Sequence, residues 1–231
     1  MSNYLDYLKS IQGKNTLKRK LEYIRYNFNR FISPKSSILE IGPGLGEFVH
    51  YLNSININSI DIIDNEKTII NYIKRNFKIR NSYFSNNLPT VIINTKTTYD
   101  IIFALQVFEH LPKKLIVQAL SAMYHQLKTN GRIIIVVPNG ANPFNLIERY
   151  SDFTHKRLFT DNSLFQMSAL AGIPQNKVKV TNYNIPRTNI INIIRSLLQS
   201  CFFFHLRILQ IINGGVISRH LTPNICLIIN K

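Results

Sequence analysis

Tryptophan is absent from this sequence, cysteine occurs twice and acidic residues number only 12. Cys201 and Cys226 stand far apart with no CxxC spacing. That pattern argues against a disulfide framework or a cysteine-built zinc site, and points to a reduced, cytosolic setting. The opening MSNYLDYLKSIQGKN has no apolar core segment, so no secretory signal is expected. Long hydrophobic runs are also missing. The most apolar stretch, 190–213, is broken by Arg195, His205 and Arg207, and falls short of the ~20 uninterrupted apolar residues of a membrane span. It reads either as a helical lid or core element, or as a basic amphipathic surface in peripheral contact with an anionic membrane. Scarce acids against 28 Lys and Arg leave a net charge of +16. Such a field attracts nucleic-acid phosphates and anionic head groups alike, so it selects no partner by itself.

What is present is a globular composition: 45% hydrophobic and 17% charged over 231 residues suits one α/β domain, not a disordered chain. Leu17, Leu21, Ile24, Phe28 and Phe31 are spaced 4-3-4-3, the signature of a helix face, and Lys and Arg fill the other side. A short run at 37–41 then leads into Gly42-Pro43-Gly44-Leu45-Gly46 and a helical stretch around Phe48, Tyr51 and Leu52. Strand, glycine turn and helix open a βαβ unit. The alternation continues with a strand at 60–64, a helix at 66–77, a strand at 100–105, a helix at 112–127 closed by Asn130-Gly131, and a strand at 132–137. The runs DIIFAL and RIIIVV have the unbroken apolar character of parallel strands buried on both faces. After Pro138 come a polar and aromatic segment to 159, a helix over 160–171 ending at Gly172, an alternating strand at 177–183 and a closing strand at 224–230. The order predicts an α/β fold, a Rossmann-like doubly wound sheet with helices on both faces. Three parts are expected within one domain: a basic helix in 1–35, a cofactor-binding core in 36–138, and a substrate loop, apolar helical segment and closing strands in 139–231.

The glycine turn carries the first chemistry. Glycines allow a sharp reversal and close approach of a ligand to the backbone. A nicotinamide fingerprint GxGxxG would require glycine at position 47, where this chain has Glu47. With Glu40 also adjacent, a pyrophosphate would be repelled there and a cationic cofactor would not. Asp64, 22 positions beyond Gly42 and at the end of the next strand, is placed to accept hydrogen bonds from ribose hydroxyls.

At these residues the chain resembles the class I S-adenosylmethionine-dependent methyltransferases. ILEIGPGLGEF is similar to their first motif, Ile62-Ile63-Asp64 to the acidic second, DIIFALQVFEHLP to the fourth strand and the segment it leads into, and NGRIIIVVPN to the fifth strand and its preceding turn. The resemblance covers about 38–139. It implies seven strands, the last antiparallel, and S-adenosyl-L-methionine as cofactor. By it, Glu40, Gly42, Gly44 and Gly46 surround the methionine part, Asp64 holds the ribose and Gln106 lies beside the sulfonium. Asn86 stands in the region where the family often has an acid that contacts adenine, and its amide oxygen can still accept the amino hydrogen.

Candidate catalytic residues are Glu109, His110 and His155, since an imidazole titrates near neutrality and can take a proton from an attacking hydroxyl. The stretch NPFNLIERYSDFTHKRLFT comes after the fifth strand, so it should overhang the carboxyl ends of the sheet, with Arg149, Tyr150 and Asp152 as candidate substrate-binding residues. That run resembles methyltransferases from bacterial surface-polysaccharide clusters, which implies O-methylation of a sugar or glycan precursor, a small-molecule or glycan acceptor. Quinone or lipid intermediates are the nearest alternative acceptors. RNA is a more distant one, because Ala104-Leu105-Gln106-Val107 lacks the Asn-Pro-Pro-Tyr-like tetrapeptide often found in base N-methylating enzymes. No HxxxH spacing or clustered acid set calls for a metal, and none is expected.

Overall fold

The computed structural model describes residues 4–11 and 13–231. Two helices, α1 (Tyr4–Ile11) and α2 (Lys14–Phe28), precede a 3-10 turn at Asn29–Phe31. The single basic helix expected in 1–35 is therefore two, divided at Gly13, whose backbone is extended. Residues 1–3 and 12 of that segment lie outside the described residues. The 4-3-4-3 stripe of α2 does face inward: Ile24 and Phe28 are buried, and Leu17, Leu21 and Phe31 are partly covered.

Strands and helices then alternate as β1 (Ile38–Ile41), α3 (Glu47–Ser54), β2 (Ile60–Asp64), α4 (Lys67–Asn76), β3 (Asn81–Phe84), α5 (Leu88–Ile93), β4 (Tyr99–Leu105), α6 (Lys113–His125) and β5 (Leu127–Pro138). The chain continues through α7 (Asn145–Ser151), α8 (Asp161–Leu170), β6 (Val178–Asn182), α9 (Ile190–Ile212) and β7 (Asn224–Asn230). One seven-stranded sheet has the order β3-β2-β1-β4-β5-β7-β6, and β7 runs antiparallel to both its neighbours. This is the doubly wound, Rossmann-like sheet expected from the sequence.

Because successive strand residues point to opposite faces, β4 feeds two cores. Ile102 and Ala104 pack with α5, α6 and α8 on one side. Ile101 and Phe103 pack with α2, α3 and α4 on the other. Asn130-Gly131 does not close α6, which ends at His125. It belongs to an irregularity at the start of β5, where Tyr99 pairs with Leu127 but Ile101 pairs with Arg132. Asn130 takes φ +64 there, and a Cβ on Gly131 would lie 2.9 Å from the Lys128 carbonyl oxygen.

Strand order reverses between β1 and β4, so a crevice opens beyond their carboxyl ends, where ligands of open α/β sheets bind. Everything the sequence singled out for chemistry leaves the sheet at that edge.

Candidate active site

Gly42, Gly44 and Gly46 all have positive φ, at +67, +54 and +80. The Gly42 amide donates to the Ile63 carbonyl at 2.9 Å and that of Gly46 to the Pro43 carbonyl at 2.8 Å, closing the turn. The three glycines are needed for different reasons. A Cβ on Gly42 would meet Val107 Cγ2 at 2.6 Å, and one on Gly46 would meet Phe77 and Ile73 at 2.6 and 2.7 Å. A Cβ on Gly44 would have only Glu47 Oε2, at 3.8 Å, nearby. Gly42 and Gly46 therefore serve packing, and Gly44 leaves open space over the turn.

Three carboxylates face this turn. Glu40 is 3% exposed, and its Oε2 has no hydrogen-bond partner among the described residues. Burial, followed by the charges of Glu47 and Asp64, pushes its pKa well above the usual carboxylate range. Burial also raises Asp64 to about 6, although its Oδ1 accepts from the Glu66 amide at 2.8 Å. Glu47 pairs with Lys20 of α2 at 2.6 Å. That contact escaped the sequence reading, since a lysine on the solvent side of an amphipathic helix carries no signal of its partner. Mutual repulsion with an unsatisfied buried oxygen suits a positively charged ligand, and a sulfonium with an α-amino group fits that donor set.

On the next strand end, Asn86 is exposed two residues past β3, where the Ser85 amide donates to the Asp64 carbonyl at 3.2 Å. Gln106, directly after β4, holds φ +56, and its side-chain amide donates to Asn224 Oδ1 at 3.0 Å. The residue that abuts the glycine turn is its neighbour Val107, which the sequence did not single out.

Beyond Val107 a 3-10 turn, Phe108–His110, delivers Glu109 and His110 to the loop after α7. The Lys156 amide donates to the Glu109 carbonyl at 2.9 Å, which brings His155 against them. The rings of His110 and His155 are 4.7 Å apart, and His155 Nε2 lies 4.0 Å from Glu109 Oε1 and 3.9 Å from Asp152 Oδ2. Glu109 is fully buried, with neither carboxylate oxygen hydrogen-bonded among the described residues. Desolvation raises its pKa to about 8. Burial, reinforced by the neighbouring His155, lowers that of His110. Asp152 is lowered instead: burial opposes this, but the hydroxyl and amide of Thr154 bond its Oδ1 at 2.6 and 2.8 Å and outweigh it.

The three candidate catalytic residues thus form one cluster, with Asp152 at its edge. The other two substrate candidates do not join it. Tyr150 is 76% exposed beneath the Arg149 guanidinium, which itself donates to the Lys156 carbonyl. The asparagines of this polar segment are structural. Asn139 donates to the His220 and Thr222 carbonyls, Asn142 to that of Leu221, and Asn145 to those of Asn139 and Pro223.

The family model described as a methyltransferase domain matches residues 14–175, from α2 through α8. Among solved structures, a SAM-dependent methyltransferase from Archaeoglobus fulgidus is 18% identical, with all of each chain covered and a TM-score of 0.68. Another from Thermotoga maritima is 12% identical over 99% of this chain and 98% of its own, with a TM-score of 0.61. The plantazolicin methyltransferase BamL, solved with SAH and a desmethyl-plantazolicin analogue, is 18% identical over 99% of this chain and 90% of its own, at 0.59. No curated protein is significantly similar in sequence. The family match spans the glycine turn, Asp64 and the Glu109 cluster in one stretch, and the chain accordingly belongs to the methyltransferase-domain family, with S-adenosylmethionine as its cofactor.

Proposed function

We propose that this methyltransferase acts on a hydroxyl oxygen of a sugar or glycan precursor held at the cytoplasmic face of an anionic membrane. The observation that carries this reading is the inverted amphipathicity of α9. Its partly covered stripe, Asn192, Ser196, Gln199, Phe203, Leu206 and Gln210, is mostly polar, and Phe203 alone is buried. The opposite stripe, Ile190, Ile194, Leu197, Phe204, Ile208 and Ile212, is exposed. A helix that faces only water places its residues the other way round. The stacked rings of Phe144 and Phe202, 5.6 Å apart, join this surface to α7, where Leu146, Ile147 and Tyr150 are also exposed and the loop to Asp152 begins. From Asn162 to Lys231 the chain has seven Lys and Arg and no acid, which complements anionic head groups. No helix among the described residues is long and apolar enough to cross a membrane, so α9 would lie along the surface.

In this reading Glu40 and the three glycines surround the methionine part of the cofactor, Asp64 accepts from the ribose hydroxyls, Asn86 stands near the adenine, and Gln106 and Val107 border the sulfonium. The bound cofactor supplies an electrophilic methyl on sulfur. An acceptor oxygen aligned with that methyl would gain the new C–O bond, the sulfur would keep the C–S electron pair, and S-adenosylhomocysteine would remain. The hydroxyl proton is lost beside the Glu109, His110 and His155 cluster, and Arg149, Tyr150 and Asp152 frame the acceptor.

Flotation with phosphatidylglycerol and with phosphatidylcholine vesicles at physiological salt tests the surface, and labelled S-adenosylmethionine tests the acceptor. The expected result is binding to anionic vesicles that Leu197→Asp with Leu198→Asp abolishes, cofactor affinity unchanged, and label entering lipid-linked glycans. No vesicle binding, or α9-dependent dimerisation in its place, would overturn the membrane assignment. Label entering only quinones or RNA would overturn the acceptor.

A further inference from the structure

Three side chains from two separate segments converge at the crevice: Glu109 and His110 after β4, and His155 from the loop after α7. Their available donor atoms all lie within 4.8 Å of one another. The Nδ1 of His155 lies 3.0 Å from the Glu148 carbonyl oxygen. A carbonyl only accepts, so Nδ1 carries the hydrogen, and in the neutral ring Nε2 presents its lone pair to Glu109 and Asp152. The second ring is set by a relay. Thr154 Oγ1 donates to Asp152 Oδ1 at 2.6 Å, and its oxygen then accepts from His110 Nδ1 at 2.8 Å. The lone pair of His110 therefore also resides on Nε2. Fixing Nδ1–H on an oxygen so that Nε2 is free is how proteins orient imidazole for a metal.

Glu109 completes the set. It is fully buried, and neither of its oxygens has a hydrogen-bond partner among the described residues. The separation of 4.0 Å from His155 Nε2 is too long for a hydrogen bond between them. An unpaired buried carboxylate beside two imidazole lone pairs is costly unless a cation joins them.

We propose that Glu109, His110 and His155 bind one divalent transition-metal cation, with Asp152 near enough to contribute a fourth oxygen directly or through water. Two nitrogens and a carboxylate favour the Mn²⁺ to Zn²⁺ series over Mg²⁺ or Ca²⁺, which prefer oxygen alone. Bonds of about 2.0–2.2 Å place neighbouring donors roughly 3–3.5 Å apart. Small side-chain rotations close the present spacing. The proposal deepens the methyl-transfer reading, since the ion would sit where the acceptor hydroxyl loses its proton. A nitrogen bound to metal cannot also take that proton, so His155 becomes a ligand and not the base.

The test uses the full chain, stripped with chelator and titrated with Co²⁺ or Mn²⁺ alone, without cofactor or acceptor. Calorimetry, the Co²⁺ visible spectrum and Mn²⁺ EPR give the readout. One ion per chain is expected, with affinity at least about tenfold weaker in Glu109→Gln and His155→Asn. In Thr154→Val, which removes the hydroxyl that orients His110 and bonds Asp152, the loss should be about 10–100-fold, as for other groups that orient ligands. Circular dichroism and cofactor binding report folding of each variant. His205→Ala is the control, because exposed Cys201 and His205 lie together at 3.8 Å and could bind ions by themselves. Absent binding, or binding lost in His205→Ala but retained in Glu109→Gln, overturns the site. Either result leaves cofactor binding and methyl transfer standing, so failure here is distinct from failure of the functional reading.

Discussion

Two carboxylates with no exposed surface, Asp61 and Glu109, lie at opposite ends of the same sheet. Asp61 is near the start of β2, and every side of it is occupied. Arg80 binds both its oxygens at 2.9 Å, Asn81 donates at 3.1 Å and the Tyr99 hydroxyl at 2.8 Å. Arg80 also reaches the hydroxyl of Ser37, the residue before β1, at 3.0 Å, so this one group ties β2, β3 and β4 to the start of β1. Glu109, past the end of β4, has no such partner among the described residues. A saturated buried charge stabilises the frame, whereas an unsaturated one costs stability and marks a place where something else binds. Glu40, also buried with a free oxygen at the glycine turn, belongs with Glu109.

The sharpest way to break this comparison is to remove each charge. Asp61→Ala leaves Arg80, Asn81 and Tyr99 without their acceptor and should lower unfolding stability by about 3–5 kcal/mol, read by urea denaturation. Glu109→Gln in metal-free buffer near neutral pH should leave stability nearly unchanged, because burial raises the Glu109 pKa to about 8 and the side chain is already mostly uncharged there. Equal losses in both would mean that Glu109 is a structural residue and the contrast is void.

The same contrast decides what was legible in the sequence. Asp64 and the glycines could be read because strand, turn and helix place them within one short stretch. Glu109, His110 and His155 were visible as residue types, but their meeting depends on a bond from the Lys156 amide to the Glu109 carbonyl across 47 positions of chain. Spacing does not record that distance, so no metal was expected. The sheet itself was readable from apolar runs. Misreadings arose where local chemistry has two uses: Asn130-Gly131 reads as a helix stop but forms a strand irregularity, and α7 was hidden inside a segment too polar to suggest a helix. The orientation of α9 was not readable either. Periodicity shows two faces, but only the packed structure shows that the polar one is inward.

At the functional edge, Asp64→Asn should weaken S-adenosylmethionine binding by about 1–3 kcal/mol while leaving urea stability nearly unchanged. That is the reverse of the pattern for Asp61. Calorimetry beside denaturation distinguishes them, and a large stability loss at Asp64 would place it with the frame.

The glycines divide along the same line. Alanine is strained at each by about 1–2 kcal/mol from its positive φ, but Gly42→Ala adds a Cβ 2.6 Å from Val107 and Gly44→Ala does not. Gly42→Ala should therefore be the less stable of the two. Gly44→Ala should keep its fold and lose mainly cofactor affinity, since its Cβ enters the open space. Equal stabilities would show that Val107 moves aside.

The smallest effect is one of pH. Burial raises Asp64 to about 6, so the folded protein holds this proton more tightly than the unfolded chain between pH 3.8 and 6. Its contribution to stability without ligand therefore declines as pH rises through that window and is level above it. Cofactor binding should move in the opposite sense if the ionised carboxylate accepts the ribose hydroxyls. Between pH 7.5 and 5.5 the ionised fraction falls to about a quarter, so affinity should drop roughly fourfold. In Asp64→Asn that component should vanish. Titrations of wild type and variant at both pH values isolate it from other carboxylates, and a difference between the two proteins that stays constant with pH would show that ribose binding does not depend on the Asp64 charge.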